Sequence, residues 1–169
     1  AAIDEIAEKG YAIMAQPGYS WIDKRFLHTY DQYLPDEMIA RLKFRTLVDK
    51  GICVCGSTDA PVQDIDPWQQ MLGMTQFYNE SESITPFEAF RCYTANPAKA
   101  LLEENERGML LPGMRADFFT GDKDIFRLSP EELCAFRPLE TYYLGKKARH
   151  WKGSVPELIL MLLGKPKKV

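Results

Sequence analysis

One unit occurs twice near the start of the chain and limits the folds it can adopt: a helical pattern, a glycine, and a short apolar run. In the first unit, residues 1–9 carry apolar side chains at helical spacing, Gly10 is suited to end a helix, and residues 11–15 are almost wholly apolar. The second unit covers residues 35–55, with Gly51 between helix and strand. Apolar runs of this kind are typical of strands buried on both faces. Because consecutive buried strands joined by helices require a parallel sheet, we predict an α/β protein.

Several helices are predicted downstream of the second strand. Residues 85–88 and 129–132 each have a hydroxyl residue, a proline and a glutamate in the order of a capping box, which marks a helix start. Helical spacing also covers about residues 66–78, and two more helical turns are predicted from Asn96 to near Gly108.

A small β region is predicted after Gly108, where helical spacing gives way to glycine, proline and short apolar runs. These runs fall at residues 109–111, 118–119 and 140–144. The stretch beyond residue 150 is mostly apolar between residues 155 and 163 and is predicted to be a docking helix or a tail.

Composition excludes several classes of protein. The hydrophobic fraction is 46% and the charged fraction 27%, which are typical of a soluble globular domain. The net charge of -3 arises from acidic and basic residues mixed along the chain, so nucleic acid is not an expected partner. No apolar run reaches the roughly 18 residues of a membrane span. The four cysteines show no CxxC spacing, and they predict reduced, buried thiols, which favours a cytoplasmic location. The spacing of Cys53 and Cys55 alone could suggest metal binding, but with no second pair nearby it favours core packing.

The strongest candidate for chemistry is Asp59, which comes directly after the second predicted strand. In parallel α/β folds the active site lies at the carboxyl ends of the strands. A carboxylate there can accept a proton or bind a metal ion, although it can equally cap the loop. His28, on the aromatic-rich loop of residues 19–33, is a second candidate and would contact substrate; a lone loop histidine is more often a packing or surface residue. His150 receives no role.

A complete catalytic zinc site is not predicted within this chain. There are two histidines in total, and neither a His-x-His nor a His-Glu-x-x-His pattern occurs. Motifs for serine hydrolases and for nucleotide-binding loops are also missing. The residue pattern alone therefore supports a single acidic candidate and no full ligand set.

Three ordered motifs resemble the C-terminal part of the amidohydrolase superfamily, within it the amidohydrolase family 3 branch of metal-dependent hydrolases. They are Gly-Ser-Thr-Asp-Ala-Pro-Val at residues 56–62 with Asp-Pro-Trp at 66–68, Ile-Thr-Pro-Phe-Glu-Ala-Phe-Arg-Cys-Tyr-Thr-Ala-Asn-Pro-Ala at 84–98, and Gly-Met-Leu-Leu-Pro-Gly-Met-Arg-Ala-Asp at 108–117. Thr58 is an insertion relative to the family's glycine-serine-aspartate pattern. The likeness extends over about residues 1–150.

The resemblance implies a fold in which residues 1–107 form the last two βα units of a TIM-type (β/α)8 barrel. Residues 108–150 would then supply C-terminal strands of a small β-sandwich, and residues 151–169 a helix or tail. By resemblance Asp59 is both a metal-site residue and the proton shuttle for a hydrolytic water, and residues 113–117 have a structural role. The family's histidine ligands and its bridging lysine or acidic ligand would lie upstream of this sequence.

The resemblance implies a metal-dependent hydrolase that cleaves non-peptide carbon–nitrogen bonds of a small-molecule substrate. It implies a divalent metal, zinc, in the full-length parent, and leaves open that this chain alone binds none and is inactive. The alternative is a non-catalytic α/β structural or interaction module that associates with a partner chain. Because such a fragment leaves apolar faces uncovered, we expect a homo-oligomer or association with the missing N-terminal part.

Overall fold

The computed structural model describes residues 2–19, 43–77 and 79–148. His28, His150 and the predicted tail at 151–169 lie outside the described residues. The helices are α1 (Ala2–Lys9), α2 (Phe44–Asp49), α3 (Pro67–Thr75), α4 (Pro86–Arg91), α5 (Ala95–Ala100) and α6 (Pro130–Ala135), with a 3-10 turn at Glu80–Glu82. The strands are β1 (Ala12–Ala15), β2 (Cys53–Gly56), β3 (Phe118–Thr120), β4 (Glu140–Tyr143) and β5 (Lys146–Lys147).

Strands β1 and β2 pair in parallel, with Ala12 opposite Cys53 and Ala15 opposite Gly56. The predicted parallel α/β unit is thus confirmed. The prediction that both strands are buried on both faces is wrong for β1. Ala15 is buried, whereas Met14 is 59% exposed, because no described element covers that side of the strand.

Both predicted capping boxes are present. Thr85 accepts a hydrogen bond from the Glu88 N–H at the start of α4, and Ser129 does the same for Glu132 at the start of α6. Helix α3 begins one residue after Asp66, whose carboxylate accepts from the N–H groups of residues 68 and 69. Local capping chemistry therefore determines where these helices begin.

The helix after Asn96 ends at Ala100 instead of continuing to near Gly108. Leu102 has a φ of 60°, its N–H donates to Lys99 O, and the next N–H, of Glu103, donates to Ala98 O. These two bonds form a Schellman motif, which ends a helix with one residue in the left-handed conformation. The helix ends early because of this motif. A glycine at the left-handed position usually reveals the motif in a sequence, and here that position is a leucine.

Replacing Leu102 by glycine is expected to stabilise the protein. Leu102 is 87% exposed, so its side chain contributes little burial, while its left-handed backbone costs about 1 kcal/mol in a non-glycine residue. Chemical denaturation of Leu102→Gly should give a free energy of unfolding about 0.5 kcal/mol higher. Leu101→Gly is the matched control: it replaces an exposed leucine with a negative φ and should lower the stability instead.

The predicted β region is an antiparallel sheet in the order β3-β4-β5. The prediction of a strand at residues 109–111 is wrong. The chain turns there, with the Met114 N–H donating to Leu111 O and Gly113 at a φ of 90°, and the three apolar side chains remain exposed. Pro112 offers no N–H for a strand ladder, which favours the turn.

One hydrophobic core joins the parallel and antiparallel parts. Trp68 of α3 makes edge-to-face contacts with Phe136 at 4.8 Å and with Phe119 at 5.5 Å between ring centroids. Asp117 accepts from the Leu144 N–H at 2.7 Å and so ties the β4–β5 turn to the chain before β3. The boundary between a barrel part and a sandwich part at residue 108 stays a prediction. Among the described residues, no helix has the length and apolar character needed to cross a membrane.

An ion pair connects α2 to α4. The Arg45 guanidinium donates to both carboxylate oxygens of Glu88 at 2.8 and 2.9 Å, and Glu88 also accepts from the Thr85 N–H. Both charged side chains are more than two-thirds buried, and bidentate charge-assisted pairs of this kind are among the stronger polar contacts. The hydrogen bond from Arg45 lowers the pKa of Glu88 from 4.5 to about 2.

Glu88→Gln is expected to lower the free energy of unfolding at neutral pH by about 1–2 kcal/mol. Since the folded pKa is depressed, this contribution is complete above about pH 5 and is lost as the pH falls from 4.5 toward 2. Denaturation of both proteins between pH 2 and 7 should show the difference shrinking in acid. Glu80→Gln, at an exposed glutamate with no ion pair among the described residues, should leave the stability within about 0.5 kcal/mol.

Candidate functional site

The candidate site lies at the carboxyl ends of β1 and β2. Beyond the last strand pair, the Ser57 N–H donates to Ala15 O at 2.8 Å, so the two chains remain side by side as they leave the sheet. This contact brings the segment after β1, residues 16–19, next to the segment that contains Asp59. We call residues 16–19 the β1 loop; its last two residues, Gly18 and Tyr19, are helical.

Asp59 is exposed at this edge of the sheet. Its φ is 55°, in the left-handed region that aspartate tolerates better than most residues. Its carbonyl oxygen accepts from the Val62 N–H at 2.9 Å, which closes a turn through a cis Ala60–Pro61 bond. The Tyr19 hydroxyl donates to Asp59 Oδ2 at 3.3 Å. The carboxylate is therefore solvent-accessible and is contacted by a side chain from the neighbouring loop.

Two buried glutamines hold the β1 loop. The Gly18 N–H donates to Gln70 Oε1 at 2.7 Å, and Gln70 Nε2 donates to Gln63 Oε1 at 2.6 Å. Gln70 is fully buried and Gln63 is 8% exposed. A Cβ atom built on Gly18 would overlap both amides, so a larger residue would have to displace these side chains from their hydrogen bonds. We refer to Gln63 and Gln70 as the glutamine pair.

Helix α3 also contacts the β1 loop through a glycine. A Cβ atom on Gly73 would overlap the carbonyl group of Pro17, so the missing side chain lets the helix pack against the loop backbone. Gln70 and Gly73 are three residues apart and lie on one face of α3. This face of the helix supports the loop that carries Tyr19.

Tyr93 packs on the last residue of β2. A Cβ atom on Gly56 would overlap the Tyr93 ring, and burial raises the pKa of the Tyr93 phenol well above its usual range. Gly56 N–H donates to Cys92 O, and the Asn96 amide donates to Val54 O, both at 2.8 Å. These contacts fix the end of β2 from the side opposite β1.

The described residues do not assemble a metal site. Within ranges 2–19, 43–77 and 79–148, no group of three or more His, Cys, Asp or Glu side chains is arranged to hold a metal ion. The cysteines are free thiols, and burial raises the pKa of Cys55 to about 11 and of Cys92 to about 12, so both remain protonated. The exposed carboxylate of Asp59 suits one ligand position and not a whole site.

The sequence predicts Asp59 at this edge of the sheet. It does not predict that Tyr19 contacts Asp59 or that Gln63 and Gln70 support the β1 loop. Tyr19 was grouped with an aromatic loop, and the glutamines carry no motif. The predicted substrate contact of His28 lies outside the described residues. A cavity of about 510 Å³ elsewhere, which Phe90, Tyr93, Met109 and Phe119 help to line, does not include Asp59.

Comparisons with known proteins point to one family. The family model described as the amidohydrolase family matches residues 1–147. The putative amidohydrolase YtcJ of Bacillus subtilis is 31% identical over 144 residues, which cover 78% of this chain and 26% of that protein. The N-substituted formamide deformylase of Arthrobacter pascens is 27% identical over 149 residues, which cover 83% of this chain and 27% of that protein.

Solved structures agree with this likeness. An uncharacterized metal-dependent hydrolase from Pyrococcus furiosus superposes with a TM-score of 0.58 at 26% identity, over 68% of this chain and 24% of that one. Guanine deaminase from E. coli shares the fold with a TM-score of 0.57 at 17% identity, over 88% of this chain and 35% of that one. The fold is thus of the α/β TIM-barrel hydrolase type.

The chain spans about a quarter of the length of the curated relatives it matches. The family match nevertheless covers most of the chain, including β1, β2 and Asp59. On this evidence, the chain belongs to the amidohydrolase family.

Proposed function

We propose that this chain contributes the catalytic aspartate of a metal-dependent hydrolase that cleaves carbon–nitrogen bonds in small molecules. The observation that carries the proposal is the position of Asp59, exposed at the carboxyl edge of a parallel strand pair in an amidohydrolase-family sequence. Active sites of parallel barrels lie at that edge. Asp59 is the one residue of the chain to which we assign both metal binding and catalysis.

The proposed architecture assigns β1 and β2 to the last two strands of a (β/α)8 barrel, with residues 1–107 in the barrel. Residues 108–150 then belong to a small β-sandwich through β3, β4 and β5. Support comes from the parallel register of the first pair and the antiparallel order of the second sheet. The shared core around Trp68 fits a sandwich packed directly on the barrel.

In the proposed reaction Asp59 transfers a proton. Its carboxylate accepts a proton from the attacking water and returns it to the nitrogen that leaves, so that the amide and water become an acid and an amine. A divalent metal such as zinc, held in part by Asp59, would supply Lewis acidity to the substrate carbonyl. One oxygen of Asp59 would serve as a ligand, and the remaining ligands would come from outside the described residues.

The proposed substrate class is a small amide or N-substituted formamide. Its support is the likeness to a relative whose name states that it deformylates N-substituted formamides. Pocket walls in such barrels come from loops around the whole carboxyl face, so the present chain supplies only part of the specificity.

The test uses the full-length protein that contains this chain. Purified protein is assayed for release of amine from N-substituted formamides, then treated with a chelator and reloaded with zinc. We expect activity that chelation removes and zinc restores, with zinc bound in a defined ratio. Turnover that survives complete removal of metal, or no carbon–nitrogen hydrolysis by the zinc-loaded protein, would overturn the proposal.

A second candidate function is a non-catalytic module that associates with a partner chain. It is favoured by the uncovered side of β1, where Ala12 and Met14 are both exposed, and by the second edge of β1, which has no strand neighbour among the described residues. Apolar faces and open edges of this kind are typical of association surfaces. We propose association with a second copy or with the rest of a longer chain.

Size-exclusion chromatography with light scattering tests that association. A 19.4 kDa chain expressed alone should elute as a dimer or larger species. Replacing Met14 by lysine should shift it toward monomer, whereas lysine at Leu102, which is 87% exposed just after the end of α5, should not. A monomer at high concentration for the unaltered chain would contradict the association proposal.

A further inference from the structure

We infer that Tyr19 is a positioning residue for Asp59, and that the glutamine pair holds Tyr19 in place for this task. The inference rests on the proposed role of Asp59 and extends it to the loop after the neighbouring strand. Its basis is the hydrogen bond from the Tyr19 hydroxyl to Asp59 Oδ2 and the buried amide contacts behind the β1 loop.

The two oxygens of the Asp59 carboxylate differ in their hydrogen bonds. Oδ2 accepts from Tyr19, whereas Oδ1 accepts no hydrogen bond within the part of the chain that the structure describes. A carboxylate held at one oxygen has a restricted rotation about its terminal torsion, which is otherwise broad. The hydrogen bond therefore limits the orientations that Oδ1 can adopt when it takes up a proton.

Tyr19 is held in place through the backbone of the residue before it. Its neighbour Gly18 donates its N–H to the fully buried Gln70, and Gln70 donates in turn to Gln63. Buried hydrogen bonds with no competing water fix geometry more strongly than exposed ones. Gln63 belongs to the same strand-to-helix segment as Asp59, so the glutamine pair connects the two loops at a second point.

The hydrogen bond from Tyr19 should affect the orientation of Asp59 more than the stability of the fold. The hydrogen bond from Tyr19 ends on an exposed carboxylate, where solvent competes, so its net contribution to folding is small. Its effect on orientation is not reduced in the same way, because small misplacements of a catalytic group can lower turnover by orders of magnitude. Loss of the hydroxyl should therefore change turnover far more than stability.

Tyr19→Phe in the full-length protein is the direct test, since it removes one oxygen and keeps the ring. We expect kcat to fall by roughly 10- to 100-fold with KM changed by less than about threefold, and with the thermal midpoint and bound zinc unchanged. Tyr11→Phe, at an exposed tyrosine of the described chain outside the site, is the matched control and should retain full kcat.

A double variant completes the test. If Tyr19 acts through Asp59, adding Tyr19→Phe to Asp59→Asn should produce no further loss in kcat. An unchanged kcat for Tyr19→Phe, or a further loss of similar size in the double variant, would overturn the inference. If Asp59→Asn remains fully active, the proposed catalytic function is overturned. If Asp59→Asn is inactive and Tyr19→Phe remains active, the proposed function stands and the positioning role of Tyr19 is overturned.

Discussion

Asp59→Asn is expected to reduce the kcat of the full-length protein by about 10³-fold while leaving its fold intact. Proton transfer by a placed side chain contributes roughly 10²- to 10⁴-fold to rate, and asparagine cannot accept and release a proton. The left-handed backbone at residue 59 is acceptable to asparagine as well, so the turn with Val62 should persist. Amine release under saturating substrate, with zinc content and thermal midpoint measured beside it, checks this expectation.

Asp64→Asn provides the matched control. Asp64 is an exposed aspartate in the same segment and undergoes the same loss of one negative charge. If Asp59 acts as a proton carrier, the Asp64 variant should keep kcat within about twofold. Equal losses in both variants would point to the charge of the loop and not to the individual carboxylate, and a fully active Asp59→Asn would remove Asp59 from the chemistry.

Elements set by neighbouring residues could be predicted from the sequence. The capping boxes at Thr85 and Ser129 satisfy helix N–H groups with side chains three residues away, so their pattern is visible in the chain itself. The end of α5 could not be predicted in this way, because Leu102 occupies the left-handed position where glycine would have marked it. The exposed side of β1 also escaped prediction, since burial depends on which other elements cover a strand.

In the candidate site, too, some residues could be predicted from the sequence and others could not. Asp59 was predictable because the carboxyl end of a buried strand is recognisable from the apolar run before it. Tyr19 was not, since its contact with Asp59 crosses 40 positions of sequence and depends on the parallel register. The glutamine pair left no signal either, because a buried glutamine and an exposed one look the same in a single sequence.

Gly73→Ala is expected to destabilise the protein, although the same change within a helix usually stabilises it. Alanine is favoured over glycine in a helix interior by about 1 kcal/mol. At Gly73, however, the new methyl group would overlap the carbonyl of Pro17, which is backbone and cannot rotate away. Overpacking costs about 1–3 kcal/mol, and the overlap with backbone places this change at the upper end of that range. Subtracting the gain of about 1 kcal/mol in helix propensity leaves a net loss of about 2 kcal/mol.

The sign of the Gly73→Ala effect decides whether α3 truly supports the β1 loop. Chemical denaturation should show the loss in stability, and kcat should fall as well, since displacement of Pro17 also moves Tyr19 away from Asp59. Thr75→Ala in the same helix is the control, because it improves helix propensity without a new contact and should change stability by less than about 0.5 kcal/mol. A Gly73→Ala protein more stable than the parent would mean that the helix does not pack on this loop. The link from the glutamine pair through Gly18 to Tyr19 would then lose its physical basis, even if Asp59 proved catalytic.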